Sequence, residues 1–346
     1  TDSVGGGAKG TTLGADDGLG AAAAMGVLAA KNLEHGPIEG LFTIDEETGM
    51  TGANQLAPGV LKGDILLNMD SETEGELYVG CAGGIDTNAC WTPKMEAVPA
   101  DMAAFQLIVK GLKGGHSGMD INLGRGNANK IMNTLLIIAS QKYGVRLCEI
   151  NGGSLRNAIP RESFATVIVP AAKADKLQKL VEEYNAAVKE QFAEAEPDLS
   201  VSIVEAAMPK QVIDNKTYKN MMEAIAKYPN GVIGMSKDFE GTVETSSNLA
   251  LVKLENGKII TCSLQRGLVD ELKDELAANI REVLKEHGAE VESTGSYHGW
   301  KPNINSPILA TMKKVYKDKF GKEPKVMVIH AGLECGILGE KYPNWD

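Results

Sequence analysis

The chain has 346 residues, 43% hydrophobic, 23% charged and 5% aromatic, which suits folded domains and excludes disorder by low hydrophobicity. A formal net charge of -11 argues against a nucleic-acid partner or an anionic membrane surface, both of which require clustered Lys and Arg, and suits cations instead. No apolar run reaches the roughly 18 residues of a membrane span, the opening Thr1-Asp2-Ser3-Val4-Gly5 has no signal-peptide pattern, and the five cysteines are odd in number with no Cys-x-x-Cys pair. These features read as a soluble protein of the reducing cytoplasm.

In chain order, Ala21 to Leu33 has an Ala-rich helical pattern, and Ile38 to Ile44 is a strand-like apolar run that ends in acids. Gly63 to Met69 repeats the theme and ends at Asp70, as expected of a strand buried on both faces of a parallel sheet. From about residue 84 the texture becomes hairpin-like runs, Phe105 to Lys110, Ser163 to Val169 and Lys258 to Leu264, with helical patterns over Asn127 to Gln141, Ala174 to Ala193 and Val269 to Glu286. Ser306 to Phe320 and Lys325 to Ile329 return to helix followed by buried strand. The plan is α/β: a discontinuous catalytic domain with a mostly parallel sheet, residues 1–83 and 298–346, and an inserted α+β lid domain, residues 84–297. No internal repeat stands out.

The strongest chemical cluster is Asp45-Glu46-Glu47, at the exit of an apolar run, where open α/β sheets carry their polar ligands. Adjacent carboxylates repel unless something positive sits among them, so an isolated triplet reads first as a solvated turn. Asp70 ends the next run in the same way, and Asp16 stands at the entrance to the first helix. Carboxylates on separate elements can hold two metal ions roughly 3.5–4 Å apart. His116, taken alone, reads as a structural or exposed loop histidine before a catalytic one; Asn157 reads as a turn cap, Arg266 as a strand-surface charge and His330 as a core histidine. Gly5-Gly6-Gly7-Ala8-Lys9-Gly10 fits Gly-x-Gly-x-x-Gly, but no strand leads into it and no helix opens on it.

The strings GTTLGADDG (residues 10–18), FTIDEETGM (42–50), ILLNMDSE (65–72), LKGGHSGMDI (112–121), GGSLRNAIPRE (152–162), VIHAGLECG (328–336) and YPNWD (342–346) together resemble the aminoacyl-histidine dipeptidase family. Its relatives are peptidase T, carnosinase and carboxypeptidase G. The resemblance covers essentially the whole chain and implies a cytosolic metallopeptidase that hydrolyses dipeptides with a free N-terminus, including Xaa-His. It implies two divalent ions, Zn²⁺ or in its place Co²⁺ or Mn²⁺, bridged by Asp16, with Glu47 and Asp70 as further ligands of one ion each. Glu46 is then the general base acting on a metal-bridging water, and His116 the lid donor to the developing oxyanion. Asn157 and Arg266 would hold the substrate backbone and carboxylate, Glu334 would meet the amino group, and a homodimer is expected.

The family's upstream His-x-Asp motif has no counterpart, since none of the five histidines is followed two residues later by Asp, and no final His ligand follows Tyr342. The first residue is not Met, so the ends read as cut, and the 346 residues as written are expected to bind metal poorly. Two competing readings are a same-clan amidohydrolase acting on N-acyl amino acids and a non-catalytic assembly protein with a vestigial site.

Overall fold

The computed structural model describes residues 15–71 and 73–346, apart from the side chains of Glu47 and Thr48. The glycine-rich string at residues 5–10 and the start of the GTTLGADDG string lie outside the described residues. The chain divides into two compact units. One holds the residues up to Cys81 together with Trp300–Val328 and Leu333–Asp346, the other Ala82–Gly299 with Ile329–Gly332.

In the first unit, helices Ala15–Ala29, Pro307–Phe320 and Glu334–Lys341 accompany a two-stranded sheet of Glu76–Cys81 and Lys325–Ile329. The helix Pro307–Phe320 has a sequence-legible start and stop: the Ser306 hydroxyl accepts the Leu309 N–H at 3.0 Å, Pro follows directly, and Gly321 closes it at φ 69°. The stretches Ile38 to Ile44 and Lys62 to Met69, expected as strands, are not strands. An apolar run becomes a strand only where a neighbour takes up its backbone bonds. Among the described residues no strand pairs with either run, and Ile44 and Leu67 stay 71% and 56% exposed. Part of the second run is instead tied to the chain's last residue: Leu66 N–H donates to Asp346 O, and Asp346 N–H to Asp64 O, each at 2.9 Å.

The second unit is built on a nine-stranded sheet. Its order runs Glu290–Tyr297, Gly83–Trp91, Lys258–Gly267, Val243–Glu255, Arg146–Gly152, Ser163–Pro170, Met102–Lys110, Ser200–Glu205, with Gly231–Met235 paired to Val243–Glu255. These neighbours pair antiparallel throughout. Outward from the central pair, Val243–Glu255 with Arg146–Gly152, the two sides mirror each other. Each side follows strand, helix, strand, strand, helix, strand in chain order. One set is Met102–Lys110, helix Ala128–Tyr143, Arg146–Gly152, Ser163–Pro170, helix Ala174–Gln191 and Ser200–Glu205. The other is Gly83–Trp91, helix Asn215–Lys227, Val243–Glu255, Lys258–Gly267, helix Asp270–Glu286 and Glu290–Tyr297. The unit therefore repeats one topology, although no sequence repeat is visible, because many apolar sets satisfy the same alternation.

Helical periodicity explains which faces are buried. Ile131, Met132, Leu135, Leu136 and Ala139 line one side of Ala128–Tyr143, and Leu276, Ala277, Ile280 and Leu284 line one side of Asp270–Glu286. The first set packs with Phe105, Leu107, Val109, Val167 and Val169 from alternate strand positions, and Leu276, Ile280 and Leu284 of the second belong to the same core. Each fully buried side chain of this size contributes roughly 1.5–3 kcal/mol. The helix Ala128–Tyr143 opens on Asn127, whose side-chain oxygen accepts the N–H groups of Asn129 and Lys130 at 3.0 and 3.2 Å. The same amide donates to Leu249 O at 3.0 Å and Asn230 Oδ1 at 3.1 Å, joining the two repeats. Asn127→Ala removes both the cap and the bridge, so equilibrium urea unfolding should show a loss of roughly 1–3 kcal/mol.

Candidate functional site

In the first unit the carboxylates meet. The Asp70 carboxyl lies close enough to Asp16 to interact with it directly, and Glu46 and Asp17 are near enough for their charges to act on it. Asp16 and Asp17 open the helix Ala15–Ala29, joined by a cis peptide, and Glu46 opens the short helix Glu46–Gly49 after Asp45, which adopts the left-handed conformation at φ 63°. Burial, then the hydrogen bond and charge of Asp16, then the charges of Glu46 and Asp17 push the Asp70 carboxyl up to about 7. Carboxyls gathered this closely repel unless one holds a proton or a cation sits among them. The donor set, all carboxylate oxygen, therefore fits a divalent cation in its chemistry. Among the described residues, no three His, Cys, Asp or Glu side chains are grouped so as to hold an ion unaided. The Glu47 side chain lies outside the described residues. Glu334 comes to the same stretch: its Oε2 accepts the Thr43 hydroxyl at 2.9 Å, and burial raises its pKa.

In the second unit the loop after Met102–Lys110 carries His116, held in a two-residue antiparallel bridge, Gly115–His116 with Ala158–Ile159. Gly115 has φ 124°, a conformation that L side chains rarely adopt. The His116 N–H donates to Asp120 Oδ2 at 2.8 Å. The ring Nδ1 accepts two backbone N–H groups, from Gly118 at 3.1 Å and Met119 at 3.0 Å. A nitrogen that accepts cannot carry the proton, so the neutral ring is the Nε2–H tautomer. Burial, then the positive charge of Arg266, pull the His116 pKa down to about 4 against the opposing effect of Asp120, so the ring is neutral at physiological pH.

Arg266 Nη2 lies 3.4 Å from that Nε2. With the proton on Nε2 both groups are donors, so they do not bond each other and each needs an acceptor from elsewhere. The guanidinium is fixed by Nη1, which donates to the Tyr297 hydroxyl at 2.7 Å, and its buried Nε has no partner among the described residues. Arg266 is only 3% exposed, which corrects the strand-surface reading. Asn157 stands beside His116: its backbone oxygen accepts the Ser117 N–H at 2.8 Å, and its side chain is exposed.

Several participants were not singled out from the sequence. Ser246 faces Arg266 across the strand pair, and its hydroxyl lies 2.7 Å from His330 Nε2. His330 is buried, and burial with the Arg266 charge pulls its pKa to about 3. Gly118 packs against it so closely that a Cβ would meet His330 O at 2.0 Å. Tyr297 and Ser246 carry no motif of their own; the only sequence signal for Ser246 is a run of polar residues inside a strand that is otherwise apolar.

Residues 107–196 match the peptidase dimerisation domain of M20 enzymes. The chain is 44% identical over 339 residues to a cytosol non-specific dipeptidase of Escherichia coli (strain K12), covering 98% of this chain and 70% of that protein. The crystal structure of an aminoacylhistidine dipeptidase from Vibrio alginolyticus superposes with a TM-score of 0.89 at 48% identity, covering 98% of this chain and 69% of that one. The chain belongs to the cytosol non-specific, or aminoacylhistidine, dipeptidase family of M20 peptidases.

His116 and His330 stay neutral in the folded chain while their unfolded counterparts take up protons near pH 6.5, so their contribution to stability is lost as pH falls from about 6.5 towards 4 and 3. Arg266→Gln removes one of the causes but leaves the burial. The His116 ring should then titrate above 4 but below 6.5, as followed by histidine NMR.

Proposed function

We propose that this protein hydrolyses dipeptides with a free amino terminus, Xaa-His among them, and that it uses divalent cations to do so. The observation that carries the proposal is the gathering of the Asp16, Asp70 and Glu46 carboxyls, an arrangement of like charges that a cation would stabilise. The membership in a family of dipeptidases supports the reaction class. The first unit is the catalytic one in this proposal and the second the lid.

Asp16, Glu47 and Asp70 would hold the ions, Zn²⁺ first and Co²⁺ or Mn²⁺ as substitutes. When bound, a divalent cation would polarise the scissile carbonyl and acidify the attacking water. Glu46 would serve as the general base toward the attacking water and as the proton donor to the departing amine. His116, neutral with its proton on Nε2, donates to an oxygen that gains negative charge, which a neutral imidazole does without surrendering its proton. Arg266 offers a planar fork suited to a carboxylate, Asn157 a side chain for the substrate backbone, and Glu334 an acceptor for the substrate amino group. The dimerisation-domain match supports a homodimer, and the name of the Escherichia coli relative supports a cytosolic location. Among the described residues no helix is long and apolar enough to cross a membrane.

A panel of dipeptides assayed beside N-acetylated amino acids should show turnover of the dipeptides; preference for the acetylated compounds would favour the amidohydrolase reading. Glu46→Gln should lower kcat by roughly 10²–10⁴-fold. Asp70 binds its proton more tightly folded than unfolded. Its share of cation-free stability is thus full below pH 3.8 and lost as pH rises towards 7. Adding Zn²⁺ near neutral pH should release protons and raise Tm, and Asp70→Asn should weaken both effects, as measured by calorimetry in two buffers of different ionisation enthalpy.

A further inference from the structure

Glu196 lies just beyond the helix Ala174–Gln191 and is 1% exposed, a carboxylate almost wholly withdrawn from water. Its two oxygens are taken by two backbone donors far apart in sequence. Oε2 accepts the Lys113 N–H at 2.7 Å, and Oε1 accepts the Gly126 N–H at 3.0 Å. Lys113 and Gly126 are the two ends of the loop that carries His116. A single buried carboxylate closes the neck of that loop through two charge-assisted bonds, the strong class of backbone contact.

Inside the neck the loop is braced by its own groups. Asp120 takes the His116 N–H and pairs with Arg125 at 3.2 Å, and Arg125 Nη1 donates to Gly114 O. These contacts fix the loop's internal shape, while Glu196 comes from a different element and fixes where the loop stands. We propose that Glu196 is the positioning residue for His116: by holding Lys113 and Gly126 together it keeps the half-buried ring beside Arg266, with Nε2 next to the guanidinium. Its effect on catalysis rests on the donor role given to His116 above, whereas its effect on the ring does not.

Glu196→Gln is the informative variant. The carboxamide keeps one acceptor oxygen but turns an NH₂ donor toward the second backbone N–H, so one side of the neck opens. The groups facing His116 are Arg266, Asp120 and His330, and all remain in the variant. With ¹³Cε1-labelled histidine, the His116 titration midpoint should move up from about 4 towards 6.5 by about one unit or more. In dipeptide hydrolysis kcat should fall by roughly ten- to a hundredfold with KM little changed, as expected when a transition-state donor is misplaced.

A ring that still titrates near 4 in the folded variant overturns the proposal, whatever happens to the rate. A displaced ring with unchanged kcat supports the positioning and instead contradicts the donor role of His116. Should Glu196→Gln not fold, hydrogen exchange in the unaltered protein decides. The amides of Gly118 and Met119 should become exchangeable whenever those of Lys113 and Gly126 do. Free exchange at Lys113 and Gly126 with Gly118 and Met119 still protected would show that the loop holds without its neck and overturn the proposal.

Discussion

Two backbone N–H groups aimed at one ring nitrogen determine what the second unit can offer. Gly118 and Met119 donate to Nδ1 of His116, so the proton of the neutral ring must sit on Nε2, and Nε2 faces Arg266 at 3.4 Å. A ring left free to rotate or change tautomer could accept from the guanidinium, and the two would satisfy each other. Because it cannot, two donors are left side by side, each in need of an acceptor from elsewhere. Burial completes the arrangement by pulling the pKa to about 4, so the ring remains a neutral donor instead of a second cation beside the arginine.

The repeated topology of the second unit explains how this pair arises within one chain. His116 follows the first strand of one repeat, and Arg266 lies on the third strand of the other, Lys258–Gly267. The repeats join where Val243–Glu255 pairs with Arg146–Gly152, and polar contacts cross the join. Asn248 donates to Ala158 O at 2.8 Å, beneath the bridge that carries His116, and Asn127 reaches Leu249 O. Polar side chains buried at such a join are retained only with their bonds made, so they specify one register as well as stabilising it.

Legibility in the sequence followed the range of the interactions. Helices with a cap and a stop, such as Pro307–Phe320 between Ser306 and Gly321, and the strand Lys325–Ile329 could be placed within a residue or two, because their signals are local. The runs Ile38 to Ile44 and Lys62 to Met69 had the composition of strands, but strand formation depends on a partner that composition does not specify. The first-unit carboxylates were visible as acids at the ends of apolar runs, and Asp16, Glu46 and Asp70 do come together. His116 and Arg266 were visible only through resemblance to a family. Nothing near Arg266 in the sequence shows that its strand position is buried, that Tyr297 holds it, or that Ser246 and His330 pair beside it. Those facts depend on cross-strand register, a long-range property.

In the proposed reaction, His116 and Arg266 donate to the bound dipeptide and the first-unit carboxylates carry the cation. A crystal structure of the protein with Zn²⁺ and a phosphinate mimic of a dipeptide tests it most directly. The expected result is a phosphinate or carboxylate oxygen within hydrogen-bond distance of both His116 Nε2 and Arg266 Nη2, with Zn²⁺ on Asp16 and Asp70. A mimic bound without contact to either donor, or Zn²⁺ bound away from Asp16 and Asp70, would contradict it.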